Sequence, residues 1–211
     1  MKAIFFAVSL LFIFSCEKEK THQNKSDAAN KSIVRNDPQQ NITTSSIDQI
    51  KKDYAFLQTQ LELKKLSSSK FTYDCNEEPS GEVVFYSDQD EIKVIEHFFA
   101  EHSHFSGSEK YFIKDGKLFF IFRQETVWNF DGGTPEKPIT KDDITETRIY
   151  IHNDKPLKCI EKKYSIQSNQ KEKTVPDNIP GKEVQCNINE LLKTYQSLLR
   201  HKDQKGAIQC L

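Results

Sequence analysis

Six stretches between residues 82 and 164 set the tightest limit on what this chain can fold into. "EVVFYS", "EIKVIEHFF", "EKYFIK", "KLFFIFRQETVW", "ITETRIYIH" and "PLKCIEKKY" are rich in β-branched and aromatic residues. Between them lie turn formers: "SDQD", "HSHFSGS", "KDGK" and "HNDK". Asp115-Gly116 is the clearest, because both central residues of a type I′ turn need positive φ. Connections this short permit only antiparallel neighbours, since a parallel crossover takes a dozen residues or more. The pattern predicts a meander of about six strands. The first four connect tightly, and a longer excursion, "NFDGGTPEKPITKDD", is expected between the fourth and the fifth.

A helix is predicted on either side of the meander. Ser46 with Gln49 has the form of a capping box, and Ile47, Ile50, Tyr54, Leu57 and Leu61 recur at helical spacing, ending near Leu66. Asn187 with Glu190 suggests a second capping box, followed by Ile188, Leu191, Leu192, Tyr195, Leu198 and Leu199 on one face. Arg200, His201 and Lys202 fall in that helix's last turn, where cations suit the dipole. Helix, antiparallel meander, helix makes an α+β domain over residues 46–211. Two helices can cover one face of the sheet between them. Leu118–Phe122 is apolar on both faces, so both sides of that strand should be covered. If the second face is left partly open, Trp128 and Phe130 beside Gly132-Gly133 become a candidate binding surface; otherwise they pack under the long loop.

The first residues bear on location. Lys2 precedes Ala3–Ser15, an apolar run without charge. As a helix it would span about 20 Å against a hydrocarbon core of about 30 Å, which suits a secretory signal rather than a transmembrane segment. Ile13, Phe14, Ser15 and Cys16 resemble a lipobox. The resemblance implies a signal peptide over residues 1–15, cleavage before Cys16 and acylation of that cysteine, which would partition into membrane lipid at about 0.8 kcal/mol per buried CH₂. Residues 17–45 are nearly free of core-forming side chains, so 16–45 is expected to be a lipidated cysteine and flexible tether, with an end-to-end distance of roughly 30 Å.

"KYFIKDGKLFFIF" and, later, "ETRIYIHNDKPLKCIEKKY" resemble small lipoproteins of the Bacteroidota that carry repeated KDGKL-type β-hairpins. The likeness covers roughly residues 82–164. It implies a hairpin sheet and an outer-membrane lipoprotein, on the periplasmic face or the cell surface, and brings no catalytic residues. In many such lipoproteins acidic residues after the cysteine direct surface export; here Glu17 and Glu19 alternate with Lys18 and Lys20.

Four further cysteines, Cys75, Cys159, Cys186 and Cys210, are an even number in an exported chain and suggest two disulfides, with three connectivities open. Pairing Cys186 with Cys210 would need residues 203–210 to run back almost fully extended along the last helix, whereas pairing either with Cys75 or Cys159 would pin that helix to the sheet. His97, His102 and His104 lie near Glu96 and Glu101 at a strand end and are a candidate metal site, although their spacing matches no established motif.

Thirty basic against thirty-one acidic residues leave no basic field for nucleic acid. Enzyme motifs are wanting: there is no G-x-S-x-G, no H-E-x-x-H and no phosphate-cradling glycine loop. Glu125, Asp131, Asp142 and Asp143 read as solvated strand ends rather than an acid–base pair. The expectation is a monomeric, membrane-anchored, non-catalytic binding or envelope-associated module with a protein or glycan partner and no cofactor. The alternative is a metal-binding lipoprotein using His97, His102 and His104.

Overall fold

The computed structural model describes residues 38–76, 78–171 and 174–211, with side chains from residue 46 onward. The expected signal peptide, Cys16 and the tether as far as residue 37 lie outside the described residues. In chain order the elements are α1 (Pro38–Glu62), β1 (Ser67–Asp74), β2 (Ser80–Asp88), β3 (Glu91–Glu101), β4 (Phe105–Lys114), β5 (Lys117–Thr134), β6 (Lys137–His152), β7 (Lys155–Gln167), β8 (Lys182–Val184), α2 (Asn189–Arg200) and β9 (Gly206–Ile208). All nine strands form one sheet in the order β8-β7-β6-β5-β4-β3-β2-β1-β9, antiparallel except for the parallel contact of β9 with β1.

The middle of the sheet, β2 to β7, follows the expected meander. The β2–β3, β4–β5 and β6–β7 connections close on two residues with positive φ: Gln89-Asp90 (47° and 68°), Asp115-Gly116 (51° and 70°) and Asn153-Asp154 (50° and 58°). This is type I′ geometry, whose twist matches that of the strands. Three residues past each turn the outgoing strand carries one extra residue. Lys93, Phe119 and Leu157 are the bulges, as the register steps from Ser87↔Ile92 to Tyr86↔Val94, from Ile113↔Leu118 to Phe112↔Phe120, and from Ile151↔Pro156 to Tyr150↔Lys158. The three hairpins are thus one unit repeated, turn and bulge together.

Successive strand residues point to opposite faces. Val94, Phe112, Phe120 and Tyr150 join one buried cluster with Ile50 and Leu57 of α1; Ile95, Tyr111, Ile121 and Ile149 join another with Leu191 and Leu198 of α2. The helices therefore lie on opposite faces, correcting the expectation that they would share one. The central strands are apolar on both sides, so each face needs its own cover. Tyr54 of α1 packs its ring 5.0 Å from Phe112 and 4.9 Å from Phe120, and Tyr195 of α2 stacks on Tyr111 at 5.4 Å.

Four other expectations are corrected. The first helix begins at Pro38, not at a Ser46 cap: Pro suits a helix's first turn, and Ser46 is helix interior, so residues 38–45, assigned to the tether, belong to α1. The second begins with Ile188 as its N-cap and no side-chain cap bond, so Asn187 and Glu190 form no capping box there. Three strands beyond the expected six complete the sheet: β1, whose only inward residues are Phe71 and Tyr73, and the three-residue β8 and β9. Finally, residues 129–143 make no loose excursion. They prolong β5 and β6, with β7 still paired to Lys141–Asp143, and beyond that the two strands run on alone as a ribbon that turns between Thr134 and Lys137, with an irregularity between Phe130 and Gly133.

Both disulfides join α2's flanks to the sheet. Cys186, just before the helix, bonds Cys159 of β7 with Cα atoms 5.4 Å apart; Cys210, after β9, bonds Cys75 at the end of β1 with Cα atoms 4.8 Å apart.

Candidate functional site

The rows of side chains that α1 covers occupy the half of the sheet nearest the three hairpin turns. On the same face the sheet continues towards the ribbon. Register sets the next row as Glu96, Lys110, Phe122 and Arg148, with Lys110 paired to Glu96, then Phe98, Ser108 and Gln124 on β3, β4 and β5, and after them Ala100, Ser106 and Thr126. Trp128 and then Phe130 follow along β5. Phe98 is 51% exposed and Phe130 67%. These are large apolar surfaces to leave in water, and they share one face.

Trp128 is held in place by the three-residue loop between β3 and β4. Its indole N–H donates to the Ser103 carbonyl, and its backbone N–H donates to the His104 carbonyl at 3.0 Å. His104 Nδ1 donates in return to the Trp128 carbonyl at 2.9 Å, which places a proton on that nitrogen. The imidazole stacks on the indole with centroids 4.0 Å apart, and Phe130 meets the indole edge-on at 5.4 Å. Residues 24 apart in sequence thus build one ordered aromatic group. Trp128 and Phe130 were legible as a pair; His104 was legible only as a metal ligand, because sequence spacing does not reveal that the loop returns to β5.

The three histidines do not meet. His102, at φ 57°, pairs with Glu78 and is largely exposed. His104 belongs to the indole. His97 points to the α2 face and is 5% exposed. Among the described residues no group of three or more His, Cys, Asp or Glu side chains converges on a point that would hold a metal ion. The strand-end carboxylates are likewise dispersed: Glu125 takes Arg123 at 2.9 Å, Asp131 takes the Gln167 amide, and Asp143 takes Lys141 at 3.2 Å together with the Ser165 hydroxyl. The Ser165 hydrogen bond, ahead of Lys141, holds the Asp143 carboxyl below its usual range.

The α2 face holds a polar chain that sequence reasoning missed. Tyr73 Oη shares a 2.8 Å hydrogen bond with His97 Nε2, and His97 Nδ1 lies 3.3 Å from Glu109 Oε2. The Tyr111 hydroxyl donates to the same oxygen at 2.6 Å, and Arg123 Nε sits 3.5 Å from Glu109 Oε1. His97, Glu109 and Arg123 are direct cross-strand partners on β3, β4 and β5. Two glycines allow the chain to be sealed. A Cβ at Gly81 would lie 2.6 Å from the Tyr73 ring, and one at Gly107 would lie 2.3 Å from the Phe99 ring. Each aromatic ring lies in the space a side chain would fill, and Phe99 stacks on His97 at 5.0 Å. Burial, and then the nearby Glu109 and Glu101 charges, push the Tyr73 phenol up to about 12. Burial does the same more strongly to Tyr111. With Glu109 only 3% exposed, a substrate reaches neither acid nor imidazole, and the chain ties strands together. The available signal was parity: Glu109 and Arg123 share the inward phase of Tyr111 and Ile121.

A cleft of about 290 Å³ lies between α1 and the β4–β5 turn, floored by Leu57, Ile113 and Phe119. Its lining includes three lysines and three aspartates, so it favours neither sign of ligand.

No family model, no curated protein and no solved structure matches this chain, so its own residues carry the functional reading.

Proposed function

We propose that this protein is an exported lipoprotein, held to membrane lipid through acylated Cys16, that acts as a non-catalytic binding module in the cell envelope. The observation that carries the binding part is the aromatic group of the ribbon, exposed Phe130 against half-buried Trp128, ordered by His104 and sharing a sheet face with exposed Phe98. Exposed rings fixed before binding lose little entropy on association, as a recognition surface requires. The two disulfides support the export part, because such bonds persist in oxidising compartments. The partner is a protein or a glycan that lies on the ribbon's aromatic face.

A photo-crosslinking phenylalanine analogue in place of Phe130 tests this in intact cells. The expected result is a discrete adduct from position 130 and none from the same analogue at Lys163, an exposed residue on the ribbon-side half of the opposite face. Equal labelling at both positions, or none at 130, would count against the reading. Membrane release of a Cys16→Ser variant tests the anchor separately: it should leave the membrane fraction if acylation holds the chain there.

A further inference from the structure

The chemistry of the open face narrows the partner, given that the ribbon is a binding surface at all. Between Phe98 and Trp128 the floor consists of Ser108, Gln124, Ser106 and Thr126, every one uncharged. None of these four side chains makes a hydrogen bond or ion pair to another described residue. Ion pairs border this floor on its own face, Lys70–Glu82, Lys110–Glu96 and Arg148–Glu146, as Arg123–Glu125 and Lys163–Glu161 do on the opposite face, but none lies within it. Among the described residues an anionic polymer would find no free cation at this floor: the basic residues bordering it, Lys70, Lys110 and Arg148, are already paired, and Asp142 beside Trp128 repels it. An extended peptide fits poorly too. Peptides recognised by sheets draw main-chain hydrogen bonds from a strand edge, and β4 and β5 at these rows are paired on both sides. Side chains alone are left to donate and accept, so the ligand must bring its own dense set of hydrogen-bonding groups.

The aromatic positions set the ligand's length. Phe98 and Trp128 lie two strands and four residues apart, roughly 16 Å by strand geometry. A ligand touching both must be extended, with apolar faces at each end and hydroxyl or amide groups between. Sugar rings have that character: an apolar C–H face that packs on an aromatic ring, with hydroxyls around the rim that hydrogen-bond to Ser, Thr and Gln. We infer that the Phe98-to-Trp128 face binds a linear, uncharged oligosaccharide across β3, β4 and β5, an assignment that rests on the ribbon being the binding surface.

Trp128 is the chain's only tryptophan, so its emission reports the site directly. The full chain in detergent is titrated with linear uncharged hexasaccharides of β-1,4-glucan, β-1,4-N-acetylglucosamine and α-1,4-glucan. The expected result is a saturable change in Trp128 emission with at least one of them. Its affinity should fall about tenfold in Phe98→Ala and in Gln124→Ala, both surface changes that keep the wild-type melting temperature. It should also stay constant between about 50 mM and about 500 mM salt, as befits a neutral ligand. Silence with all three sugars, alongside a protein adduct at position 130, would overturn the saccharide assignment and keep the binding module. Silence with no adduct would overturn both. Binding that neither substitution weakens would place the sugar elsewhere and overturn the assignment.

Discussion

Gly81 and Gly107 show how much a missing side chain can decide. Each faces α2's side of the sheet, and each is overlaid by a ring, Tyr73 or Phe99, that closes the polar chain around His97 and Glu109. A glycine in a strand interior is a weak choice by itself; an aromatic neighbour lying across it recovers contact area. The two positions differ in what an added methyl would strike. At Gly107 it meets the far end of the Phe99 ring, which can swing aside, whereas at Gly81 it also meets the Phe98 carbonyl oxygen at 2.4 Å, which cannot. Gly81→Ala should therefore cost about 3 kcal/mol and Gly107→Ala about 1 kcal/mol in denaturant unfolding. An inverted order would mean that the rings, not the backbone, limit the space. The Tyr73 phenol of that chain and two phenols on the other face govern behaviour at high pH. Tyr73, Tyr86 and Tyr164 are raised from 10.0 to about 12, chiefly by burial and then by their carboxylate neighbours. A phenol whose folded pKa lies above its unfolded one contributes stability that is complete below about pH 10 and is lost as pH climbs towards 12. Tyrosinate absorbance should thus lag in the folded protein and appear together with unfolding between those values. Ionisation of all seven tyrosines near 10 with the fold intact would contradict the burial argument.

The hairpin is the element that repeats, and its bulge has a directional consequence. Phe119 is the extra residue of β5, so Phe119 and Phe120 both reach the α1 cluster although they are adjacent in sequence. Leu157, the bulge of β7, packs against that cluster too. A bulge residue is the one residue of a strand whose removal keeps the alternation: without Phe119, Leu118 faces α2, Phe120 faces α1 and the pairing beyond them is unchanged. Deleting Phe119 should therefore still give a cooperatively folded protein by circular dichroism. Phe119→Ala, which keeps the bulge, should fold and lose about 3 kcal/mol. A larger loss on deletion would give the bulge's twist a contribution beyond lost area. Alternation between faces is a local rule. It also explains which elements the sequence made legible. The six middle strands carry alternation and turn residues at close intervals, and those are local signals. β1 keeps only Phe71 and Tyr73 after three serines and a lysine, and β8 and β9 are three residues each, so their strand character comes from neighbours far away in sequence. The ribbon was obscured by its Gly, Pro and Asp content, which reads locally as loop while long-range pairing holds it extended. The Trp128–Phe130 surface was visible as composition beside a glycine pair. The row from Phe98 through Gln124 emerges only once the register of three strands is known.

At the scale of the whole molecule, the sheet is laced by its last segment. Cys159 lies on β7 near one edge and Cys75 at the end of β1 near the other, with α2 between Cys186 and Cys210. The segment from 186 to 210 is therefore a strap across one face, fastened at both ends. It covers Ile95, Tyr111, Ile121 and Ile149 through Leu191 and Leu198. The two fastenings close loops of unequal size, with sequence separations of 135 and 27 residues. On the chain-entropy account the longer loop restricts the unfolded chain more, by about 5 kcal/mol against about 3.5 kcal/mol. Replacing Cys75 and Cys210 together with Ser should therefore lower the unfolding midpoint more than replacing Cys159 and Cys186. Loss of area sets the opposite order, since Cys159 is 2% exposed and packs in the core under α2. Denaturant unfolding of the two double variants decides between these effects. A larger loss for Cys75/Cys210 would make chain entropy the leading contribution of the strap. A larger loss for Cys159/Cys186 would mean that the strap acts by pressing α2 onto the sheet, and thiol labelling of the reduced wild type should then expose Cys159 only as the core opens.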